Sequence, residues 1–228
     1  MTTTHRSLSI CPCCRFIFLT FILGSTNTYG LWGTDFFKQA AGTQYILIEI
    51  QTCPHCGYSG YEEDFKERKV TKELKEFVKH NIRPHARCKM LPIWKKYEFA
   101  ALIAIRRGDP NREVAELYLR GAWCCQLNEE KVGERYYRFK AIEYFQNAFK
   151  ANETLKEEKA IYTYLMGELY RRIGDVEHMV LWFDRVKGTI GEDEGLKWLM
   201  DLAIQQKTHP KNFFTWEDLY RIQSTTIH

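Results

Sequence analysis

Two copies of Cys-Pro-x-Cys constrain this chain more than any other feature. They read Cys11-Pro-Cys-Cys14 and Cys53-Pro-His-Cys56. A two-residue gap lets both thiolates of one tight turn face a single ion, and backbone N–H groups of the turn can hydrogen-bond the sulfurs. Gly57, directly after the second unit, supplies the backbone freedom such a turn uses. Together the knuckles predict a tetrahedral four-thiolate site made of Cys11, Cys14, Cys53 and Cys56 around one structural Zn2+. Four protein sulfurs leave no position open to water, so such a site is structural rather than catalytic.

Three features depart from an ideal pattern. Residues 15–52 separate the knuckles, more than a minimal ribbon needs; Arg15 stands where glycine often follows a knuckle; and Cys13 competes with Cys14 as the ligand. His55, inside the second knuckle, is expected to point to solvent, because the flanking sulfurs already face the ion. Two other readings stay open. One leaves the cysteines as free thiols. The other joins His85 and Cys88 to Cys53 and Cys56 in a Cys3His site independent of the N-terminus. Cys124 and Cys125 are adjacent in a helical pattern and read as buried thiols without a ligand role.

The chain has eight cysteines, but their paired spacing in a highly charged, helix-patterned sequence favours metal over disulfides and a cytoplasmic setting. The apolar run Phe16–Leu23 is far too short to span a bilayer and reads as a β-strand leaving the first knuckle. The secreted alternative makes it a signal-peptide core. Arg15 directly before it, and the absence of a clean small-x-small cleavage site after it, speak against that.

The periodicities predict a mainly α protein. A small N-terminal β, zinc-ribbon-like module covers residues 9–60, a connector with a short helix covers 61–92, and antiparallel helical repeats of the tetratricopeptide type cover 93–228. Ile46, Ile48 and Ile50 alternate as in a strand entering Cys53, and Ser59-Gly-Tyr-Glu62 has capping-box spacing. A helix over Ile93–Arg107 is expected to stop at Gly108, with Asp109 as N-cap and Pro110 opening the next. Thr154-Leu-Lys-Glu157 is a second capping box, and further helices are expected over Leu196–Gln206 and near Trp216–Ile222. Ala141–Ala148 aligns with Met179–Val186, each preceded by a helix with a small residue, Gly121 or Gly167. In such a repeat the glycine lets the first helix approach the second, and an aromatic, here Phe183, fills the space opposite. The link between the helices of the first unit, through Glu129–Arg135, reads as the longer one.

Paired knuckles, the second in the context Cys53-Pro-His-Cys56-Gly57-Tyr58, followed by helices carrying Tyr118–Trp123, resemble a bacterial family of unknown function, number 2225 in the domain-of-unknown-function series. The resemblance covers most of the chain. It implies zinc knuckles ahead of tetratricopeptide-like helices and carries no established activity.

Function is less legible. The net charge of +4 is too small for a nucleic-acid signature. The sequence has no Gly-x-Ser-x-Gly, no phosphate-binding glycine loop and no His-Glu-x-x-His, so no enzyme activity is expected. The expected role is a scaffold or adaptor that binds a protein or peptide through its helical repeats, with Arg171 and Arg172 as partner-binding residues. The alternative is a nucleic-acid-binding protein using the zinc-ribbon head. It is disfavoured because Arg15 and Lys38 are balanced there by Asp35 and Glu49.

Overall fold

The computed structural model describes residues 2–66, 69–86, 91–155, 158–191 and 194–220. Strands β1 (Thr3–Ile10) and β2 (Ile17–Ser25) form an antiparallel hairpin in which Ile10 faces Ile17 and Leu8 faces Leu19. The first knuckle is its tip. The apolar run at 16–23 therefore lies in a strand leaving the knuckle. A second, minimal hairpin pairs β3 (Gln51–Thr52) with β4 (Ser59–Gly60), and its tip is the second knuckle.

The expected long strand through Ile46–Ile50 is instead a helical turn at Tyr45–Leu47, and only Gln51–Thr52 is extended. Ile46 and Ile50, four apart, both point inward, and the Ile46 carbonyl accepts from the Tyr97 hydroxyl at 2.7 Å. A four-residue repeat of buried positions suits a helical turn better than a period of two. Ser59 does not cap a helix either. Its hydroxyl donates to the Gly57 carbonyl at 2.9 Å, and Asp64 accepts the Tyr61 N–H instead.

The helices follow in order. Short α1 (Glu62–Lys66) and α2 (Lys72–Phe77) lead through a widened turn at Val78–Ile82 into α3 (Arg83–Ala86). Then come α4 (Ile93–Arg107), α5 (Asn111–Leu127), α6 (Lys131–Lys150), α7 (Lys159–Ile173), α8 (Val176–Ile190) and α9 (Trp198–Thr208). A further helical turn covers residues 216–220. Helix α4 ends as expected at Gly108, which sits at φ +80°, and α7 ends likewise at Gly174, φ +83°. The start of α5 shifts by one residue. Pro110 takes the capping position while Asp109 turns back to ion-pair with Arg107. Helix α6 begins at Lys131, capped by the Glu130 carboxylate on the Gly133 N–H. The link between α5 and α6 is therefore residues 128–130, one residue longer than the link between α7 and α8 but ending before Arg135. Thr154 precedes α7, but Glu157 of the expected capping box lies outside the described residues.

Helices α5 and α6 form one hairpin and α7 and α8 a second, with α4 packed on α5 and α9 on α7 and α8. The expected Gly167–Phe183 approach is present: a Cβ on Gly167 would lie 2.5 Å from the Phe183 ring. Gly121 is looser, with Tyr137 rather than Phe145 nearest at 3.4 Å.

Two apolar clusters hold the chain together. One lies beneath the knuckles and joins Phe18, Tyr58, Phe65, Leu74, Val78 and Ile82 to Phe99 and Ile103 of α4. The other runs through the helical hairpins and takes Tyr97, Ala100 and Ala104 from α4. Helix α4 thus belongs to both. The stretch from Thr34 to Ile50 crosses the faces of α4, α5 and α7. Phe37 stacks on Trp123 at 4.9 Å, Tyr164 donates to the Thr34 carbonyl at 3.1 Å, and Glu49 pairs with Arg120 at 3.0 Å. The first helices of both hairpins are therefore covered by the chain's own residues.

Candidate metal centre

The two knuckles have matching backbones. In the first, the Cys11 N–H donates to the Phe16 carbonyl and the Arg15 N–H to the Cys11 carbonyl, both at 2.9 Å. In the second, the Cys53 N–H donates to Tyr58 at 2.9 Å and the Gly57 N–H to Cys53 at 2.8 Å. Arg15 and Gly57 occupy equivalent places, at φ +64° and +79°. The turn needs a left-handed residue there, which glycine accepts freely and arginine adopts only at a conformational cost. That is the physical content of the Arg15 departure.

The knuckles meet tip to tip. Cys11 Sγ lies 3.6 Å from Cys56 Sγ, and Cys14 Sγ lies 3.7 Å from Cys53 Sγ. All four sulfurs fall within 4.8 Å of one another. A tetrahedral ion with metal–sulfur bonds of about 2.3 Å needs sulfur–sulfur edges of roughly 3.8 Å. The thiols are thus spaced as ligands of one ion, and the donor set fits a soft or borderline metal. Cys11, Cys53 and Cys56 are buried and Cys14 is partly so. The neighbouring thiols of Cys11 and Cys56, with the Cys56 and His55 backbone N–H groups, hold the Cys53 thiol below its ordinary pKa.

Of the two thiols in contention, Cys14 joins the cluster and Cys13 stands beside it. His55 does more than face solvent. Its ring lies against Phe16, and Arg83 donates to Nε2 at 3.0 Å. That bond leaves the ring proton on Nδ1, 3.4 Å from Cys14 Sγ, so His55 donates to the sulfur from outside the ligand shell. His85 lies exposed on α3, outside the cluster, and Cys88 lies outside the described residues.

Cys124 and Cys125 are both fully buried and meet different neighbours of α5: the Cys124 Sγ approaches the Ile46 carbonyl at 3.9 Å, and the Cys125 Sγ faces Gly133. Burial pushes the Cys125 thiol up to about 12. These are inert packing groups, as expected.

The model of a protein family matches residues 6–209. The chain belongs to the family described as "Uncharacterized protein conserved in bacteria (DUF2225)". No curated protein and no solved structure matches it. In this member of DUF2225 no helix among the described residues is long and apolar enough to cross a membrane.

Arg171 and Arg172 correct the expectation that they face a partner. Arg171 pairs with Glu168 at 2.8 Å and donates to the Lys211 carbonyl and Asn212. Arg172 pairs with Glu168 at 2.7 Å and Asp35 at 3.3 Å and donates to Asn212 O at 2.8 Å. Glu168 and Asp35 are fully buried, so these guanidiniums balance interior carboxylates. Arg138, also fully buried, completes the network on Asp35 at 2.9 Å, and Trp123 Nε1 donates to the same oxygen at 3.1 Å. Nothing in the sequence marked Asp35 or Arg138 as members of such a network.

Proposed function

We propose that this chain is a metal-stapled helical scaffold. One structural Zn2+, held by Cys11, Cys14, Cys53 and Cys56, ties the two hairpins, and tandem helical hairpins of the tetratricopeptide type meet a protein partner. The observation that carries the metal half is the pair of sulfur–sulfur edges, 3.6 and 3.7 Å, on two knuckles with the same backbone. Zinc suits four thiolates because it needs no redox change and no particular geometry beyond the tetrahedron.

For the partner half, Thr34–Ile50 already covers the first helices of both hairpins, which turns attention to the outer face of α6. There Val132, Tyr136 and Phe139 are exposed at helical spacing. A photo-crosslinking residue at position 136 tests this reading in the native host. The expected result is one discrete protein adduct, lost on Phe139→Asp while metal content and helicity persist. Absence of any adduct, or an adduct unaffected by Phe139→Asp, overturns it.

A further inference from the structure

The β1–β2 ribbon is built inside out. Cross-strand register puts Arg6, Leu8, Ile10, Ile17, Leu19 and Phe21 on one face and His5, Ser7, Ser9, Phe18, Thr20 and Ile22 on the other. In a two-stranded ribbon on a globular body the apolar side should face inward. Here Phe18 is the buried anchor, packed edge-on against Phe65, and the serine side turns toward the body. The apolar face turns outward, with Leu8 72% exposed, Ile10 and Phe21 46%, and Ile17 and Leu19 between those values. Phe16, at the knuckle, extends the exposed apolar surface.

The charge within the ribbon has one sign. No Asp or Glu occurs among residues 1–34, whereas Arg6 and Arg15 are both exposed. Arg6 lies over Phe21 at 6.0 Å, on the apolar face itself. A second copy would set arginine against arginine with no acidic residue of the ribbon to pair them. The footprint also argues against a protein. Strands of eight or nine residues, rising about 3.3 Å each and about 4.8 Å apart, present a face on the order of 300 Å². A stable protein interface needs about 800 Å² per partner. A lipid surface requires neither shape complementarity nor that area; apolar side chains entering the headgroup boundary, flanked by arginines, suffice for reversible binding.

We propose that the outward face of the β1–β2 ribbon docks on an anionic lipid surface, with Leu8, Ile10, Ile17, Leu19 and Phe21 entering the headgroup boundary and Arg6 and Arg15 meeting lipid phosphates or carboxylates. The backbone stays at headgroup level, where water and lipid polar groups satisfy the free strand edges. This inference goes beyond the scaffold reading and places that scaffold at a membrane surface.

The test is co-sedimentation of the full chain with phosphatidylcholine vesicles, with and without phosphatidylserine. The wild-type chain should pellet with the anionic vesicles and stay in solution with the neutral ones. The double variant Leu8→Asp/Leu19→Asp should lose pelleting, and Arg6→Gln and Arg15→Gln should each weaken it by about fivefold. The glutamine variants leave the apolar face intact, so they report even if the double variant folds poorly. Metal content read on the same samples keeps failure of the thiolate site separate from failure of this proposal. Three outcomes overturn it: wild type ignoring both vesicle types; double-variant binding equal to wild type; or a wild-type dimer that the double variant converts to monomer.

Discussion

Arg138 Nη1 stands 2.9 Å from Asp35 Oδ2, 103 positions earlier in the chain, and both side chains are fully buried. This pair and its neighbours tie the loop after the ribbon to α5, α6 and α7. Asp35→Ala should therefore be costly. It leaves Arg138 with Glu134 as its remaining carboxylate, at 3.1 Å, and removes one of the two counter-charges of Arg172, for a loss of about 3 kcal/mol in urea unfolding. A loss under about 1 kcal/mol would mean that the network carries little of the fold.

The same carboxylate gives a pH dependence. Burial alone would raise the Asp35 pKa, but Arg172 and Arg138 outweigh it and hold it below the ordinary value. A depressed carboxylate pKa contributes stability above its unfolded value, near 4, and loses it as pH falls toward the folded value. Unfolding free energies measured downward from pH 5 should fall for the wild type, and this component should be missing in Asp35→Asn. Identical acid limbs in the two proteins would contradict the assignment.

Gly167 and Gly121 separate a close helix approach from a loose one. A methyl on Gly167 would enter the Phe183 ring at 2.5 Å, so Gly167→Ala should destabilise by about 1–3 kcal/mol. At Gly121 the nearest atom is 3.4 Å away, so alanine fits and its better helix propensity should leave Gly121→Ala neutral or up to about 1 kcal/mol more stable. Denaturant midpoints of the two variants settle the order. A reversal would place the tight contact in the first hairpin.

What could be read ahead of the structure follows from where the physics is local. Cys11, Cys14, Cys53 and Cys56 announce themselves because ligand pairs must share a turn, and Gly167 with Phe183 because helix periodicity repeats. Ile46–Ile50 misled because alternation over five residues cannot be told from a four-residue helical turn once Tyr97 claims a carbonyl inside it. Arg171 and Arg172 looked like a surface pair at a helix end; their partners Asp35 and Glu168 are buried by a segment far away in sequence, which no local pattern encodes. Of the ribbon only the strand after the first knuckle is legible in the sequence; β1, at Thr3–Ile10, is not, and the direction of the apolar face depends on what Phe18 packs against.

Arg15 and Gly57 test the knuckle backbone. Arg15→Gly relieves a left-handed residue and should stabilise by about 1 kcal/mol. Gly57→Ala both strains the turn and drives a methyl to 2.6 Å from Ala86 and 2.7 Å from Ile82, so it should destabilise by more than about 2 kcal/mol. Thermal melts of the two variants moving in the same direction would break the equivalence of the two turns.

The most direct measurement is metal content per chain in the wild type, Cys13→Ser and Cys14→Ser, purified without added chelator. The four-thiolate account predicts about one zinc in the wild type and in Cys13→Ser, and a large loss in Cys14→Ser. A wild-type chain without metal, or a Cys14→Ser chain that keeps its full complement while Cys13→Ser loses it, would contradict the account.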